Sequence, residues 1–171
     1  MVATIAELMS EHPSDADIRA ACLQLGSIVC YAPEFCSLAE EANLPRDVLQ
    51  ALRQQTSRES DLEGLAILEV MLETTSVRTI ACCYNSVIPD MRFPLSRFSA
   101  VLFQLRESHD VAEVVIECVR SHYDLSICQS GACILASLST MPAQLEAIAA
   151  HADLDFFAAC IHTLGDRVVD A

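Results

Sequence analysis

The sequence contains no lysine, no tryptophan and only four glycines among its 171 residues. Its ten basic residues are all arginine, and 24 acidic residues outnumber them, which gives a formal net charge of −14 at pH 7. Nucleic-acid binding usually rests on a basic patch that releases counterions, and ten dispersed arginines form no such patch. The same deficit disfavours an anionic membrane surface. We therefore expect neither nucleic acid nor a membrane as a partner.

The sequence also lacks the features of an export signal. Residues 1–10 include Glu7 and have no basic segment ahead of an apolar run, so they do not resemble a signal peptide. The nine cysteines are an odd count, and Cys22, Cys30, Cys118 and Cys133 lie in apolar surroundings where alanine or leucine would serve. Buried free thiols in a reducing compartment explain this usage best. We expect a cytoplasmic protein, with the nucleus as an alternative.

Strand signals are nearly absent, whereas helix-start signals recur along the chain. Ser14–Asp17 places acid near the positive end of a helix, and Pro33 and Pro45 each stand where a first helical turn tolerates proline. No long linker divides the chain, so we predict a single all-α domain over residues 1–171. The spacing of apolar residues predicts about eleven short helices: Thr4–Glu11, Asp15–Tyr31, segments after Pro33 and Pro45, Ser60–Leu72, Val77–Tyr84, Pro94–Glu107, Asp110–His122, Ser126–Ser139, Pro142–His151 and Asp153–Leu164.

One sequence pattern recurs within these helices. Residues 21–28 (ACLQLGSI) follow the order small residue, three further residues, leucine, small residue, serine and an aliphatic residue. Residues 131–138 (GACILASL) repeat this pattern with the same leucine and serine, and residues 64–71 and 112–119 are looser copies. Short helices bury their apolar faces by stacking on similar neighbours, so the recurrence indicates a repeat protein.

On these residues the chain resembles the armadillo repeats, which are three-helix units of adaptor proteins. Residues 21–28 are similar to the long third helix of that family, and Glu34–Leu52 is similar to its first two helices. The resemblance implies a short right-handed α-solenoid with full repeats at Glu34–Glu73 and Ser76–His122. The phase breaks near Asp124, so we expect an irregular C-terminal repeat: a HEAT-like pair, a repeat with a deleted helix, or a terminal cap.

The resemblance also implies a concave groove lined by successive third helices. The family lines this groove with asparagine and tryptophan, but this chain has mainly apolar residues at those positions, which cannot pair with the backbone of an extended peptide. An apolar strip suits the apolar face of a partner helix or self-association instead, unless these residues are simply core. The candidate groove residues are Ser27, Val70 and Cys118 in the asparagine register, Leu23, Ala66 and Val114 in the tryptophan register, and Arg19, Tyr31, Glu63, Asp110 and His122 beside them.

One pair of residues has the spacing of half a metal site. Cys118 and His122 lie four residues apart on one helix face, with Cys128 and Cys133 close in sequence. A structural zinc site needs a second close pair such as Cys-x-x-Cys, which the sequence does not contain. The alternative is a buried thiol beside a histidine at the edge of the core. The chain also has no glycine-rich phosphate loop and no nucleophile elbow.

These observations favour binding over catalysis, and we expect no cofactor. The sequence predicts a non-catalytic adaptor or scaffold that binds a protein partner through a basic or amphipathic helix, because the −14 charge favours basic partners. A homodimer or larger homo-oligomer joined by the apolar strip is the first alternative. A metal-binding protein or a cysteine-dependent enzyme that uses Cys118 and His122 is the second.

Overall fold

A computed structural model of the chain describes residues 1–32, 34–54, 57–85 and 110–165. These residues form nine α-helices, and no described residue lies in a β-strand, which confirms the all-α class for this part of the chain. No helix among them is long and apolar enough to cross a membrane. The helices are α1 (Val2–Glu11), α2 (Ala16–Val29), α3 (Phe35–Glu41), α4 (Leu44–Arg53), α5 (Arg58–Asn85), α6 (Asp110–His122), α7 (Leu125–Leu138), α8 (Pro142–His151) and α9 (Leu154–Gly165).

The helix starts follow from local side-chain chemistry. Asp15 caps α2, and its Oδ1 accepts hydrogen bonds from the backbone N–H groups of Asp17 and Ile18, both at 3.1 Å. Asp124 caps α7 in the same way through the Ser126 N–H at 3.0 Å. Pro45 stands in the first turn of α4, where its missing N–H has no helical partner to lose. The predicted starts near Asp15 and Pro45 are therefore confirmed.

Two of the predicted helices are one helix in the structure. Ser60–Leu72 and Val77–Tyr84 both fall within α5, which runs without a break from Arg58 to Asn85. Residues 73–76 between them contain neither glycine nor proline, so nothing in the local sequence ends the helix there. The predicted helix Pro94–Glu107 lies outside the described residues.

The helices lie in two rows. The first row is α1, α4, α6 and α8, which contact one another in that order, and the second row is α2, α5, α7 and α9, which do the same. Contacts of α1 with α2, α4 with α5 and α6 with α7 join the rows, while the short α3 packs on α1 and α4. The core lies between the rows, where Leu52, Leu65, Leu68, Ile116 and Ile134 are almost completely buried.

Helical glycines lie where neighbouring helices approach most closely. A Cβ atom added to Gly64 of α5 would lie 2.7 Å from Cδ2 of Leu52 in α4. A Cβ on Gly131 of α7 would lie 2.5 Å from Cγ2 of Val119 in α6. Both distances are shorter than a normal carbon–carbon contact, so a side chain at these positions needs the neighbour to move. The two glycines occupy the same position in the recurring sequence pattern.

We expect the alanine variants of two helical glycines to differ in stability. Gly131→Ala should lower the free energy of unfolding by about 1–2 kcal/mol. Val119 is β-branched and stiff, so the cost of overpacking against it exceeds the gain in helix propensity. Gly26→Ala should change it by less than about 0.5 kcal/mol, because its Cβ meets only the flexible Cδ1 end of Ile67, at 2.7 Å, and the propensity gain offsets this contact. Urea unfolding of both variants measures the difference, and equal losses would contradict this interpretation.

Candidate functional site

The predicted groove residues of α6 face α4 and α5. Asp110 forms an ion pair with Arg53 of α4, with Oδ2 and Nη2 2.7 Å apart. Val114 is buried, and it borders a small cleft with Leu52 and Arg53 of α4. Because α6 lies between α4 and α8 in the first row, this side of the helix is occupied by its neighbours.

The other two predicted groove residues of α6, Cys118 and His122, belong to a buried polar cluster. Cys118 is fully buried, with its Sγ 4.0 Å from the Leu52 carbonyl oxygen. Nε2 of His122 lies 2.9 Å from Oδ2 of Asp61, a carboxylate in the first turn of α5 that is only 1% exposed. Burial raises the pKa of Asp61, and the hydrogen bond and charge of His122 oppose that rise. Asp110, Val114, Cys118 and His122 therefore join α6 to α4 and α5, and Asp110 and Val114 also line a cleft of about 360 Å³ with Leu52 and Arg53.

Sequence reasoning assigned no long-range partner to Asp61. This residue lies at the start of the predicted helix Ser60–Leu72, where an acidic side chain is common. The structure instead buries Asp61 against His122, which lies 61 residues further along the chain. No short-range feature of the sequence indicates this contact.

The second row contains the helix that best repeats the pattern of α5. In α7, Gly131, Ile134, Leu135 and Leu138 are buried, and the equivalent residues of α5 are buried too. The predicted repeat boundaries made α6 the third helix of the last full repeat, in line with α2 and α5. In the structure, the helix that continues the row of α2 and α5 is α7. The copy at residues 131–138 therefore lies beside α5 in the second row, whereas the groove residues assigned to α6 lie in the first row.

The predicted groove residues on α2 and α5 are divided between core and surface. Leu23 is buried, whereas Ala66 and Val70 of α5 are half-buried. Ser27 is half-buried, and its hydroxyl donates to the Gln24 carbonyl of its own helix at 3.0 Å. Leu23, Ala66 and Val114 are thus not exposed together, because two of the three pack into the core.

Tyr31 and Glu63 both lie near the C-terminal end of α2. Tyr31 follows this end and is 75% exposed. Burial raises the pKa of the Cys30 thiol to about 11, and the negative charge of Glu63 in α5 adds to this rise. Glu63 is half-buried and lies close to Cys30. Arg19 points away from this surface, because its guanidinium donates to the Pro13 carbonyl in the α1–α2 connection.

One side of the exposed face of α2 is apolar. Leu25 is 48% exposed and Ile28 is 68% exposed, and Ala21 is exposed as well. With the half-buried Ile18, these residues follow the spacing i, i+3, i+7 and i+10, which aligns them on one side of a helix. We call this set, with Tyr31 at its end, the α2 stripe: Ile18, Ala21, Leu25, Ile28 and Tyr31.

The α2 stripe corrects the sequence interpretation of this helix. The recurring pattern aligns Leu25 with Leu68 and Leu135, which are both buried, whereas Leu25 is 48% exposed. The buried side of α2 is instead formed by Cys22, Leu23 and Gly26. Gly26 lets α2 approach Ile67 of α5, and this close contact turns Leu25 and Ile28 outwards.

Cys118, Cys128 and Cys133 lie in three different surroundings. Burial raises the pKa of Cys118 to about 12, so its thiolate, the reactive form, is rare at neutral pH. Cys128 contacts Cys160 of α9 instead, and Cys133 is exposed on the outer side of α7. The described residues contain no group of three or more His, Cys, Asp or Glu side chains that could hold a metal ion.

The burial of the cysteines agrees with the sequence prediction at most of the positions it named. The prediction is wrong for Cys133, which is exposed. Gly131 and Ile134 of the same helix face the core, and Cys133 lies on the opposite side of the helix. The buried thiols among the described residues are Cys22, Cys30, Cys36, Cys118 and Cys128.

Protonation of Asp124, the cap of α7, should lower the free energy of unfolding in acid. The Arg58 guanidinium donates a 2.7 Å hydrogen bond to Asp124, and together with the N-cap bond to Ser126 it holds the pKa of Asp124 below its usual value of 3.8. A lowered pKa in the folded state means that this stabilisation is present above the unfolded-state pKa and is lost as the pH falls through the folded-state pKa.

We expect Asp124→Ala to lower the free energy of unfolding by about 1 kcal/mol at pH 7, the usual cost of a lost N-cap. The difference from the wild type should stay constant at higher pH and should shrink below pH 3.8, where Asp124 is protonated in the unfolded chain. Asp124→Asn keeps a capping side chain and should lose less. Urea unfolding of the three proteins at several pH values provides the measurement, and a difference that grows in acid would contradict the assignment.

Comparisons with known proteins give no relative for this chain. No protein-family model matches it, and neither a curated protein nor a solved structure matches it.

Proposed function

We propose that this protein is a non-catalytic interaction module, an adaptor or scaffold built as a short right-handed α-solenoid of the armadillo and HEAT type. The two rows of helices support this arrangement, since each helix contacts the next helix of its own row and most have a partner in the other row. The recurring pattern supports it as well, because its copies in α5 and α7 lie side by side in the second row. The buried free thiols favour a reducing compartment, the cytoplasm or the nucleus.

The observation that carries the proposal is the α2 stripe. Leu25, Ile28 and Tyr31 expose large apolar side chains along one side of a single helix, where a soluble protein gains nothing by exposing them to water. The spacing of the stripe matches the seam by which one helix packs against another. We therefore assign the α2 stripe, rather than the α6 residues, as the surface that binds an amphipathic partner helix.

The charge around the α2 stripe favours a basic partner. Asp17 and Glu34 are exposed near the two ends of α2, and Glu63 lies beside its C-terminal end. The whole chain carries a formal charge of −14. A partner helix with apolar residues on one side and arginine or lysine at the edges would meet both features, and its association should slow as salt is added.

Self-association is the second candidate function, and an exposed face of α9 favours it. Leu154, Phe157 and Ile161 follow the spacing i, i+3 and i+7, and their exposed fractions are 86%, 44% and 70%. These residues lie at the other end of the second row from α2. The α2 stripe of one copy packed on α9 of the next would continue the row from head to tail. The strong negative charge of both copies opposes this assembly.

Sedimentation velocity over a wide range of protein concentrations tests the proposal against this second candidate. We expect the isolated protein to remain a monomer at physiological salt, because the α2 stripe binds a basic partner and the negative charges of two copies of this chain repel each other. A concentration-dependent dimer or larger species that disappears in Ile28→Glu would contradict the proposal and would assign the α2 stripe to self-association. Leu145→Glu, at a leucine of α8 with similar exposure to Leu25, is the control substitution.

A further inference from the structure

Two thiols meet where α9 packs on α7, its main neighbour among the described helices. Phe156, Cys160 and Thr163 follow the spacing i, i+4 and i+7, which places them on one side of α9. Phe156 is buried and Cys160 packs against the core, so this side of α9 faces the other helices. Across the contact, the thiol of Cys160 donates a hydrogen bond to the sulfur of Cys128 in α7.

Cys160 is the member of this pair that a small molecule in solution can reach. Its side chain is half-buried, whereas Cys128 is completely buried. Of the cysteines whose side chains the structure describes, Cys133 is the only other one that is not buried. Cys133 lies about 140° around α7 from Cys128, so the helix itself separates these two sulfur atoms. Accessibility and contact with a second thiol therefore coincide at Cys160.

The surroundings of the two thiols keep them protonated at neutral pH. Burial raises the pKa of Cys160 to about 11, and the nearby Cys128 adds to this rise. Burial also raises the pKa of Cys128, a rise that hydrogen bonds from Cys160 and Thr163 oppose and that the charge of Asp124 reinforces. Because the thiolate is the reactive form, the pair stays reduced under ordinary conditions and reacts only when an oxidant persists.

We propose that Cys128 and Cys160 are a redox-sensitive pair, which hydrogen peroxide converts to a disulfide that joins α7 to α9. The Cys160 sulfur attacks one peroxide oxygen, so that the O–O bond breaks, an S–O bond forms, and the other oxygen leaves as water with the thiol proton. The Cys128 sulfur then attacks the Cys160 sulfur, the S–O bond breaks, and the sulfenic oxygen leaves as a second water with the Cys128 proton. The two thiols lose two electrons in total, and these electrons reduce the peroxide.

The disulfide fixes α9, which ends the second row of helices, to its neighbour α7. Cys128 and Cys160 lie on different helices, so rotation of the two side chains can close the S–S bond of about 2.05 Å without breaking either helix. The bond also restricts the unfolded chain between residues 128 and 160, so oxidation should stabilise the folded protein. In a reducing compartment such a bond is transient and responds to oxidants, which fits thiols that are free at rest.

Peptide mapping of the full-length protein tests this proposal directly. The folded protein is treated with hydrogen peroxide, its remaining thiols are blocked in urea, and the chain is cut after arginine and glutamate. Cleavage after Glu146 separates Cys128 from Cys160, which otherwise share the arginine-bounded peptide 121–167. We expect the two halves of this peptide to be joined, in a monomeric protein, by a bond that dithiothreitol cleaves. The same product should form in Cys133→Ser, which assigns the bond in the first half to Cys128.

Two further variants test the order of the steps and the effect of the bond. In Cys128→Ser, Cys160 should remain as a sulfenic acid that dimedone labels, and the wild type should show several-fold less of this label. Peroxide should raise the urea midpoint of the wild type but not that of Cys160→Ser, which should form no linked peptides. The absence of linked peptides in the wild type, their loss in Cys133→Ser, or their formation only in urea would overturn the proposal.

Discussion

Replacing His122 with alanine is expected to lower the free energy of unfolding by about 1–3 kcal/mol, the usual loss when a buried polar group is left without its hydrogen-bond partner. Asp61 is 1% exposed, and His122 is the only side chain among the described residues that lies within hydrogen-bond distance of its carboxylate. Without the imidazole, this carboxylate must either stay charged in the core or bind a proton. Both outcomes cost stability at pH 7, and urea unfolding measures the loss.

Two further variants separate the buried pair from a general effect of histidine removal. His12 is exposed, and none of the ion pairs among the described residues includes it, so His12→Ala should change the unfolding free energy by less than about 0.5 kcal/mol. Replacing both Asp61 and His122 with leucine should recover at least half of the loss, because an apolar pair needs no counter-charge. If His122→Ala behaved like His12→Ala, the pair would not join α5 to α6 in solution.

Changing the α2 stripe should abolish partner binding with little effect on folding. In the double variant Leu25→Glu and Ile28→Glu, two carboxylates replace the most exposed aliphatic side chains of the stripe. Central apolar residues of an interface commonly contribute 2 kcal/mol or more each, so affinity for the partner should fall by at least about 100-fold. Both side chains point into solvent in the free protein, so its unfolding free energy should change by less than about 1 kcal/mol.

Leu145→Glu on α8 is the matched control for this double variant. Leu145 is 52% exposed, close to the 48% of Leu25, but it lies in the first row of helices. Titration calorimetry with the purified partner should give the wild-type affinity for this control. Equal affinities of the double variant and the wild type would remove the α2 stripe from the interface.

The sequence predicted the helices well where the signal was local. Asp15 and Pro45 mark the starts of helices because a cap or a first-turn proline depends on neighbouring residues alone. The recurrence at residues 131–138 was interpreted as a break in the repeat phase, whereas in the structure this copy belongs to the helix that contacts α5 in the second row. The continuity of α5 was missed because the polar residues at 73–76 resemble a helix boundary, although they do not prevent a helix.

The candidate site was harder to predict, because it depends on which side of each helix faces a neighbour. In α2, Leu23 and Leu25 both belong to apolar sets with helical spacing, and periodicity alone does not say which set is buried. The close approach of Gly26 to Ile67 decides it, and that contact joins two helices far apart in sequence. The Asp61–His122 contact is a second case, since neither residue has a local pattern that identifies the other.

Site-specific photo-crosslinking from position 28 tests the central proposal most directly. A photoreactive amino acid in place of Ile28, in the full-length protein expressed in its native cells, should crosslink to a different protein through a segment with apolar and basic residues at helical spacing. The same amino acid in place of Leu145 should not capture that protein. Finding no product specific to position 28, or only crosslinks between copies of this chain, would contradict the assignment of the α2 stripe as the binding surface for a partner helix.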